Sequence, residues 1–239
     1  MLLTEIHENY ARVRSQIEAA ARIAGRNPGD IHLVVVTKTH PFEIIQEVVN
    51  AGAIELGENY VEEAIPKIRY FSSVGGIRWH MIGHVQSRKA LVVCEYFDYI
   101  HSLDSVKLAE RLSRFAVEQN RKIPIFLEIN LSGEETKSGW KIESDEGWEK
   151  IMPDIEKILD LHGIKLIGLM TIPPYSSDPE TTRPYYRKLR EFQENLIGRF
   201  NLKDCTELSM GMSGDFEVAI QEGATWVRIG HAILGPRGK

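Results

Sequence analysis

Residues 31–38 read Ile-His-Leu-Val-Val-Val-Thr-Lys, an apolar and largely β-branched run that ends in a lysine. A run of this length is too short for a good helix and is typical of a buried strand. Apolar residues recur at helical spacing on both sides of it, over residues 1–25 and from Pro41 to about Ala51. A buried strand between two amphipathic helices is the repeating unit of an α/β protein.

The same alternation continues to the end of the sequence. Seven further segments are predicted as strands, namely Ala53–Leu56, Ile77–Ile82, Tyr99–Leu103, Ile123–Ile129, Ile164–Ile172, Glu207–Met210 and Thr225–Ile229. Helices are predicted between them over residues 60–70, 86–93, from a cap at Asp104 or Ser105 to 119, up to about 161, over 182–199 and over 214–221.

Eight strand–helix repeats in 239 residues fit a single (β/α)8 TIM barrel with an extra N-terminal helix, and we expect one domain over residues 1–239. An open doubly wound sheet is the alternative. It is disfavoured because the Gly-x-Gly-x-x-Gly fingerprint that such sheets usually carry does not occur in the sequence.

Composition excludes several classes of protein. Lys and Arg number 29 and Asp and Glu 34, and this net charge of −5 argues against nucleic-acid binding. The two cysteines, Cys94 and Cys205, are too few and too far apart for a disulfide scaffold or a cysteine-rich zinc site. No apolar stretch reaches the ~20 residues of a membrane span, and charges come too early for a signal peptide. We therefore expect a cytoplasmic monomer that binds neither membrane nor metal.

Lys38 is the first candidate for chemistry, because the active site of an α/β barrel forms at the carboxyl ends of its strands. Partial desolvation there lowers the pKa of an ammonium group and makes a neutral amine available to attack an aldehyde. The alternative is a solvated cation at the end of a strand, which is the commoner situation for a lysine.

The loops after the last two strands are the second candidate. They read Ser209-Met-Gly-Met-Ser213 and Arg228-Ile-Gly-His231. Barrels often bind phosphate at this place, and Gly211 and Gly230 would let the backbone approach an anion closely. Ordinary turn chemistry explains each loop separately, but two such loops in the same sector favour a phosphate site.

Seven short motifs carry a resemblance to a known family. They are Val36-Thr-Lys38, Leu56-Gly-Glu-Asn59, Trp79-His-Met-Ile-Gly83 with Gln86, Ser132-Gly-Glu with Lys137-Ser-Gly139, Gly168-Leu-Met170, Leu208-Ser-Met-Gly-Met-Ser213 and Val227-Arg-Ile-Gly230. In this order, over residues 5–237, they resemble the pyridoxal phosphate homeostasis proteins. The resemblance implies a fold type III barrel like the N-terminal domain of alanine racemase, with pyridoxal 5'-phosphate as cofactor.

The resemblance also implies a role for each site residue. Lys38 would be the catalytic residue that holds the cofactor as an internal aldimine, and Arg228 would lie beside the pyridine nitrogen. A cation there disfavours protonation of the ring and weakens it as an electron sink. The remaining cofactor-binding residues would be Asn59 near the ring, Ser209 or Ser213 with Gly230 and His231 at the phosphate, and His80, Met170 and Gly211.

His231 is a departure from the family, which usually has Thr or Ser at this position. An imidazole replaces a hydroxyl that would donate to the phosphate, whereas the contact from the backbone N–H would survive. We expect the affinity for the cofactor to depend on pH near neutrality for this reason.

The resemblance implies a protein that holds the cofactor and contributes to vitamin B6 and amino-acid homeostasis, with apo-enzymes as the partners that receive it. Racemisation by two bases needs a second acid or base, which alanine racemases take from an added β-domain. Only nine residues follow Gly230, so a carrier without significant turnover is expected. A pyridoxal phosphate-dependent racemase or decarboxylase is one alternative, and a Schiff-base aldolase acting on a phosphorylated substrate through Lys38 is another.

Overall fold

An amphipathic helix precedes the first strand, as the sequence predicts. The computed structural model describes residues 3–142 and 145–235, so the first two residues of the predicted helix lie outside the described residues. The strands are β1 (His32–Val36), β2 (Glu55–Glu58), β3 (Arg78–Met81), β4 (Tyr99–Leu103), β5 (Ile123–Asn130), β6 (Trp140–Lys141), β7 (Ile164–Met170), β8 (Glu207–Ser209) and β9 (Trp226–Ile229).

The helices lie between these strands. They are α1 (Leu3–Ile23), α2 (Phe42–Asn50), α3 (Val61–Tyr70), α4 (Ala90–Tyr96), α5 (Val106–Glu118), α6 (Asp145–Leu159), α7 (Arg183–Phe200), α8 (Phe216–Gln221) and α9 (His231–Leu234). Ser105 caps α5 as predicted, because its hydroxyl accepts from the N–H of Leu108 at 3.4 Å. Among the described residues, no helix is both long enough and apolar enough to span a bilayer.

Eight of the strands close into a parallel barrel. β1 pairs with β2 on one side and with β9 on the other, and the order continues through β3 to β4 and through β8 and β7 to β5. Pairing of β4 with β5, with Ile100 opposite Ile125 and Leu103 opposite Leu127, completes the ring. The predicted (β/α)8 barrel is therefore confirmed.

Two short elements were not predicted, and one strand is displaced. β6 is a two-residue strand beside β5, outside the ring, and it arises from the pairing of Ile129 with Trp140. α9 is a single turn after β9. β2 begins two residues later than predicted, because Ala53 still donates its N–H to Val48 O at the end of α2.

The outside of the barrel packs through an extensive apolar core, whereas the inside is largely polar. The interior apolar cluster consists of Val34, Phe126, Met170 and Trp226. Buried polar side chains come from six of the surrounding strands, namely Glu55, His80, His101, Glu128, Ser209 and Arg228. Buried groups of this kind are tolerated only when they are hydrogen-bonded or paired.

Glu128 on β5 differs from the other five residues within the described part of the chain, because it lines a small cavity of about 160 Å3. It is 8% exposed, and its carboxyl group forms no hydrogen bond or salt bridge with a described residue. Burial, with a further contribution from Asp104, raises its pKa to about 7. The folded protein therefore holds a proton on Glu128 at pH values where the unfolded chain has lost it.

We expect Glu128→Gln to change the pH dependence of stability. Because the pKa of Glu128 is higher in the folded state than in the unfolded chain, binding of its proton stabilises the fold. This contribution is complete below the unfolded pKa of ~4.5 and is lost as the pH rises through the folded pKa of about 7. Relative to wild type, the variant should gain about 2–3 kcal/mol of unfolding free energy between pH 5 and pH 8. Urea unfolding across this range measures the gain, with Glu110→Gln, an exposed carboxyl group, as control; parallel curves for wild type and Glu128→Gln would contradict the assignment.

Close packing of β7 against β8 gives a second prediction. A Cβ atom at Gly168 would lie 1.9 Å from Glu207 O, whereas one at Gly198 in α7 would meet nothing within 4 Å. Gly168→Ala should lower the unfolding free energy by about 2 kcal/mol or more, because backbone must move to admit the methyl group. Gly198→Ala should be neutral or stabilising by up to about 1 kcal/mol. Thermal unfolding compares the two, and equal midpoints would show that β8 yields to the added methyl group.

Candidate functional site

A cavity of about 570 Å3 opens at the carboxyl ends of the strands, where barrels place their active sites. Its lining brings together five residues that the sequence singled out, namely Lys38, Ser213, Arg228, Gly230 and His231. His40 follows β1 on one side, and residues 174–176 follow β7 on the other. The volume is in the range of small-molecule and cofactor sites.

The buried ammonium group of Lys67 fixes the turn that carries Lys38. Its Nζ donates to Thr37 O at 2.8 Å, to Glu58 Oε1 at 2.8 Å and to Glu63 Oε1 at 2.6 Å. Thr37 Oγ1 also donates to Glu58 Oε1, at 2.6 Å. Burial raises the pKa of Glu58, and the charge of Lys67 opposes the shift. Removing Lys67 would leave the buried carboxyl group of Glu58 without its cationic partner.

The residue after Lys38 is held in an unusual backbone conformation. Thr39 has a φ of +65°, in the left-handed region that β-branched residues rarely adopt. Its N–H donates to Glu63 Oε1, one of the oxygens that binds Lys67. Lys38 therefore projects into the cavity from a turn whose two neighbouring residues are anchored to α3 and β2.

The two loops of the predicted phosphate site contact each other. Arg228 donates its backbone N–H to Gly211 O at 3.0 Å, and Ala232 donates its N–H to Ser213 Oγ at 3.3 Å. Gly211 has a φ of +95°, and a Cβ atom there would lie 2.6 Å from Ala219 Cβ. Glycine is required at Gly211 by both its conformation and its packing.

One carboxylate, that of Asp215, lines the cavity close to these loops. Tyr186 donates its hydroxyl to Asp215 Oδ2 at 2.6 Å, and Met212 donates its N–H to Oδ1 at 2.7 Å. Burial, reinforced by Asp215, raises the pKa of Tyr186, so the phenol stays protonated and donates. Both oxygens of Asp215 are thus engaged by the protein itself.

Arg228 is a buried cation whose partners are neutral. It is 4% exposed, and it donates from Nη1 to Ser209 Oγ at 2.6 Å and from Nη2 to Thr171 O at 2.9 Å. No described residue forms a salt bridge with it. Burial lowers the pKa of Arg228, while Tyr186, Glu128 and Asp215 counter that shift. An electron-rich group in the cavity would reduce the cost of keeping this charge out of water.

The other predicted site residues do not line the cavity. Asn59 follows β2, half-buried, and its Oδ1 is a buried atom without a hydrogen-bond partner in the described chain. Met170 belongs to the interior apolar cluster. Ser209 and His80 are buried inside the barrel, where Ser209 Oγ lies between Arg228 and His101. Direct contact of these residues with a cofactor stays a prediction.

Thr171, His101 and Glu55 were not among the predicted site residues, although they support Arg228 directly or through neighbours. Thr171 accepts from Arg228, and His101 and Glu55 bond to Ser209 and His80 respectively. The sequence does contain a signal for His101 and Glu55, because polar residues at inward positions of a buried strand depart from the apolar pattern that such strands normally show.

Comparison with known proteins gives a consistent result. The sequence profile of the alanine racemase N-terminal domain matches residues 5–238. A pyridoxal phosphate homeostasis protein of Aquifex aeolicus is 40% identical over 230 residues, which cover 96% of this chain and 97% of that protein. The protein of that name from Escherichia coli K12 is 38% identical over 242 residues, with 98% of each chain covered.

Solved structures agree with these relatives. PipY of Synechococcus elongatus, whose structure was determined with pyridoxal phosphate bound, has a TM-score of 0.85 at 35% identity, over 96% of this chain and all of that one. Alanine racemase of Clostridium difficile has a TM-score of 0.70 at 15% identity, over 95% of this chain and 56% of that one, which shows a shared fold. With whole-length relatives at 38–40% identity and a matching barrel, this chain belongs to the family of pyridoxal phosphate homeostasis proteins.

Proposed function

We propose that this chain, as one domain over residues 1–239, binds pyridoxal 5'-phosphate and contributes to its homeostasis in the cell. The observation that carries the proposal is the presence of Lys38 and the buried cation Arg228 in one cavity of about 570 Å3. The names of the relatives and the pyridoxal phosphate bound to PipY support it.

The residues present fit this cofactor. The guanidinium of Arg228 lines the cavity and has only neutral hydrogen-bond partners among the described residues, so it can interact with an electron-rich atom of a ligand. Gly230 packs against β1, and a Cβ atom there would lie 3.1 Å from Val36 O. Residues 211–213 and 230–231 would hold the phosphate, while Arg228 would face the ring nitrogen.

When bound, pyridoxal phosphate supplies an aldehyde that reacts with amines and a ring that withdraws electrons. Lys38 would hold the cofactor covalently, in an orientation set by the anchored turn around Thr37 and Thr39. Arg228, a guanidinium held by two neutral acceptors, has no proton to give at neutral pH and repels one from its neighbour. Its presence favours retention of the cofactor over turnover, and we propose that apo-enzymes receive the cofactor from this protein.

Lys38→Ala should abolish covalent attachment of the cofactor. After incubation with pyridoxal phosphate and reduction with borohydride, peptide mapping of wild type should find the added mass on the peptide that contains Lys38. Lys157→Ala, which removes an exposed lysine of α6, should behave as wild type. The same yield of stable adduct on another peptide of Lys38→Ala would move the nucleophile elsewhere, and no adduct in wild type would reject the proposed function.

Low turnover is the second expectation. Because Arg228 disfavours a protonated ring, the loaded protein should exchange the α-proton of L-alanine in D2O less than about tenfold faster than free pyridoxal phosphate. Proton NMR of the amino acid follows the exchange, and chiral analysis detects D-alanine. Exchange about a millionfold above the free cofactor, at the lower end of ordinary enzyme catalysis, would favour the racemase alternative.

A further inference from the structure

A continuous chain of buried hydrogen bonds runs through the barrel from Arg228 to Glu55. Arg228 Nη1 lies 2.6 Å from Ser209 Oγ, which lies 2.7 Å from His101 Nδ1. His101 Nε2 lies 2.9 Å from His80 Nδ1, and His80 Nε2 lies 2.8 Å from Glu55 Oε2. The chain crosses strands β9, β8, β4, β3 and β2, and its members are all less than 6% exposed.

Ser209 determines the direction of the donors in this chain. A guanidinium can only donate, so Ser209 Oγ accepts from Arg228 and needs an acceptor for its own proton. Of its two partners, His101 Nδ1 is the one that can accept. Donation to His101 is the arrangement that leaves no buried serine proton unpaired, and in it Nδ1 of that ring carries no proton.

The remaining protons follow one after another. With Nδ1 bare, the His101 ring is neutral and carries its proton on Nε2, which donates to His80 Nδ1. His80 then carries its proton on Nε2 and donates to Glu55 Oε2. Glu55 accepts as a carboxylate, which Arg78 also contacts through Nε at 2.8 Å. Each member donates towards Glu55, so a cation stands at one end of the chain and a carboxylate at the other.

The surroundings keep the two imidazole rings neutral and fixed. Burial lowers the pKa of His80 and, together with the charge of Arg228, lowers that of His101 well below its usual range. His80 stacks on Tyr99 with ring centroids 4.7 Å apart, and His101 stacks on Phe126 at 4.2 Å. The hydrogen bonds to His80 and Arg78 hold the pKa of Glu55 at about 2 despite its burial.

We propose that Ser209, His101, His80 and Glu55 are positioning residues that orient Arg228 towards the cofactor and connect it to a carboxylate on the opposite side of the barrel. The proposal rests on the proposed function for the role of Arg228, but the order of the protons is a property of the protein alone. Glu55 also lines a second cavity of about 440 Å3, with Tyr10, Arg14, His32 and Arg78, and that cavity does not share a residue with the first. The orientation of Arg228 in the first cavity would thus depend on Glu55, which lies outside that cavity.

Nitrogen NMR of the full chain, labelled with 15N at its eight histidines and without cofactor, tests the chain directly. Two imidazoles should be neutral, protonated on Nε2 and unchanged between about pH 6 and pH 8, and one of these signals should vanish in His101→Phe. Glu55→Gln should shift the His80 signal, whereas Glu207→Gln, which removes a carboxylate bonded to Trp226 instead, should not. A charged imidazole or a proton on Nδ1 at either ring would overturn the proposal.

Cofactor retention supplies the second measurement. Ser209→Ala removes the acceptor of a charge-assisted hydrogen bond that Arg228 donates. The variant should therefore bind pyridoxal phosphate about tenfold more weakly and shift the visible absorbance maximum of the bound cofactor. Ser209→Thr keeps the hydroxyl and should restore both, which separates positioning from a general loss of folding. Ser102→Ala, beside His101 on β4, removes a hydroxyl bonded to Gly83 O and should leave the absorbance maximum unchanged.

The outcomes separate the two proposals. If wild type binds pyridoxal phosphate but Ser209→Ala and Glu55→Gln retain it with unchanged affinity and spectrum, the positioning role is wrong and the proposed function stands. If wild type does not bind pyridoxal phosphate, the proposed function fails and with it the role towards the cofactor, while the NMR signals still report whether the proton order exists.

Discussion

Pairing of β4 with β5 turns a row of parallel strands into a ring, and the arrangement of the site depends on this closure. In a closed parallel barrel, the carboxyl ends of all strands meet at one rim. Lys38 follows the first strand and Arg228 lies in the last, yet β1 and β9 are neighbours, with Val34 opposite Arg228. Residues separated by most of the chain therefore share one cavity, and loops of a few residues are enough to complete it.

Closure also creates an interior whose content must be satisfied without water. In this protein the interior holds an apolar cluster around Trp226 and a directed series of polar groups from Arg228 to Glu55. The serine hydroxyl and the two imidazoles of that series each have an acceptor in the next member, so the desolvation of these groups is offset within the barrel. The arrangement is also specific, because replacement of one member leaves a donor or an acceptor of its neighbours without a hydrogen-bond partner.

Much of the architecture is readable from sequence, and the reasons for the omissions are physical. Strands such as β1 and β5 are apolar runs of ordinary length, and the Ser105 cap is a local signal. β6 exists through pairing with β5 and has no pattern of its own. The place of Lys38, Ser213 and Arg228 in the cavity is predictable, because barrels form their sites at the carboxyl ends of the strands. The series through His101 and His80 does not, because it depends on strand register and on which way each ring points, and neither is local.

The buried ammonium group of Lys67 has a consequence for chemical selectivity. An amine attacks a carbonyl compound through its lone pair, and that lone pair is free only after a proton is lost. Each N–H of Lys67 is engaged by an oxygen, two of them carboxylate oxygens, and the side chain is almost inaccessible. Such an amine is withdrawn from glycation, acylation and condensation alike. The fold thus makes Lys67 part of the support of the turn, whereas Lys38 in that turn lines the cavity.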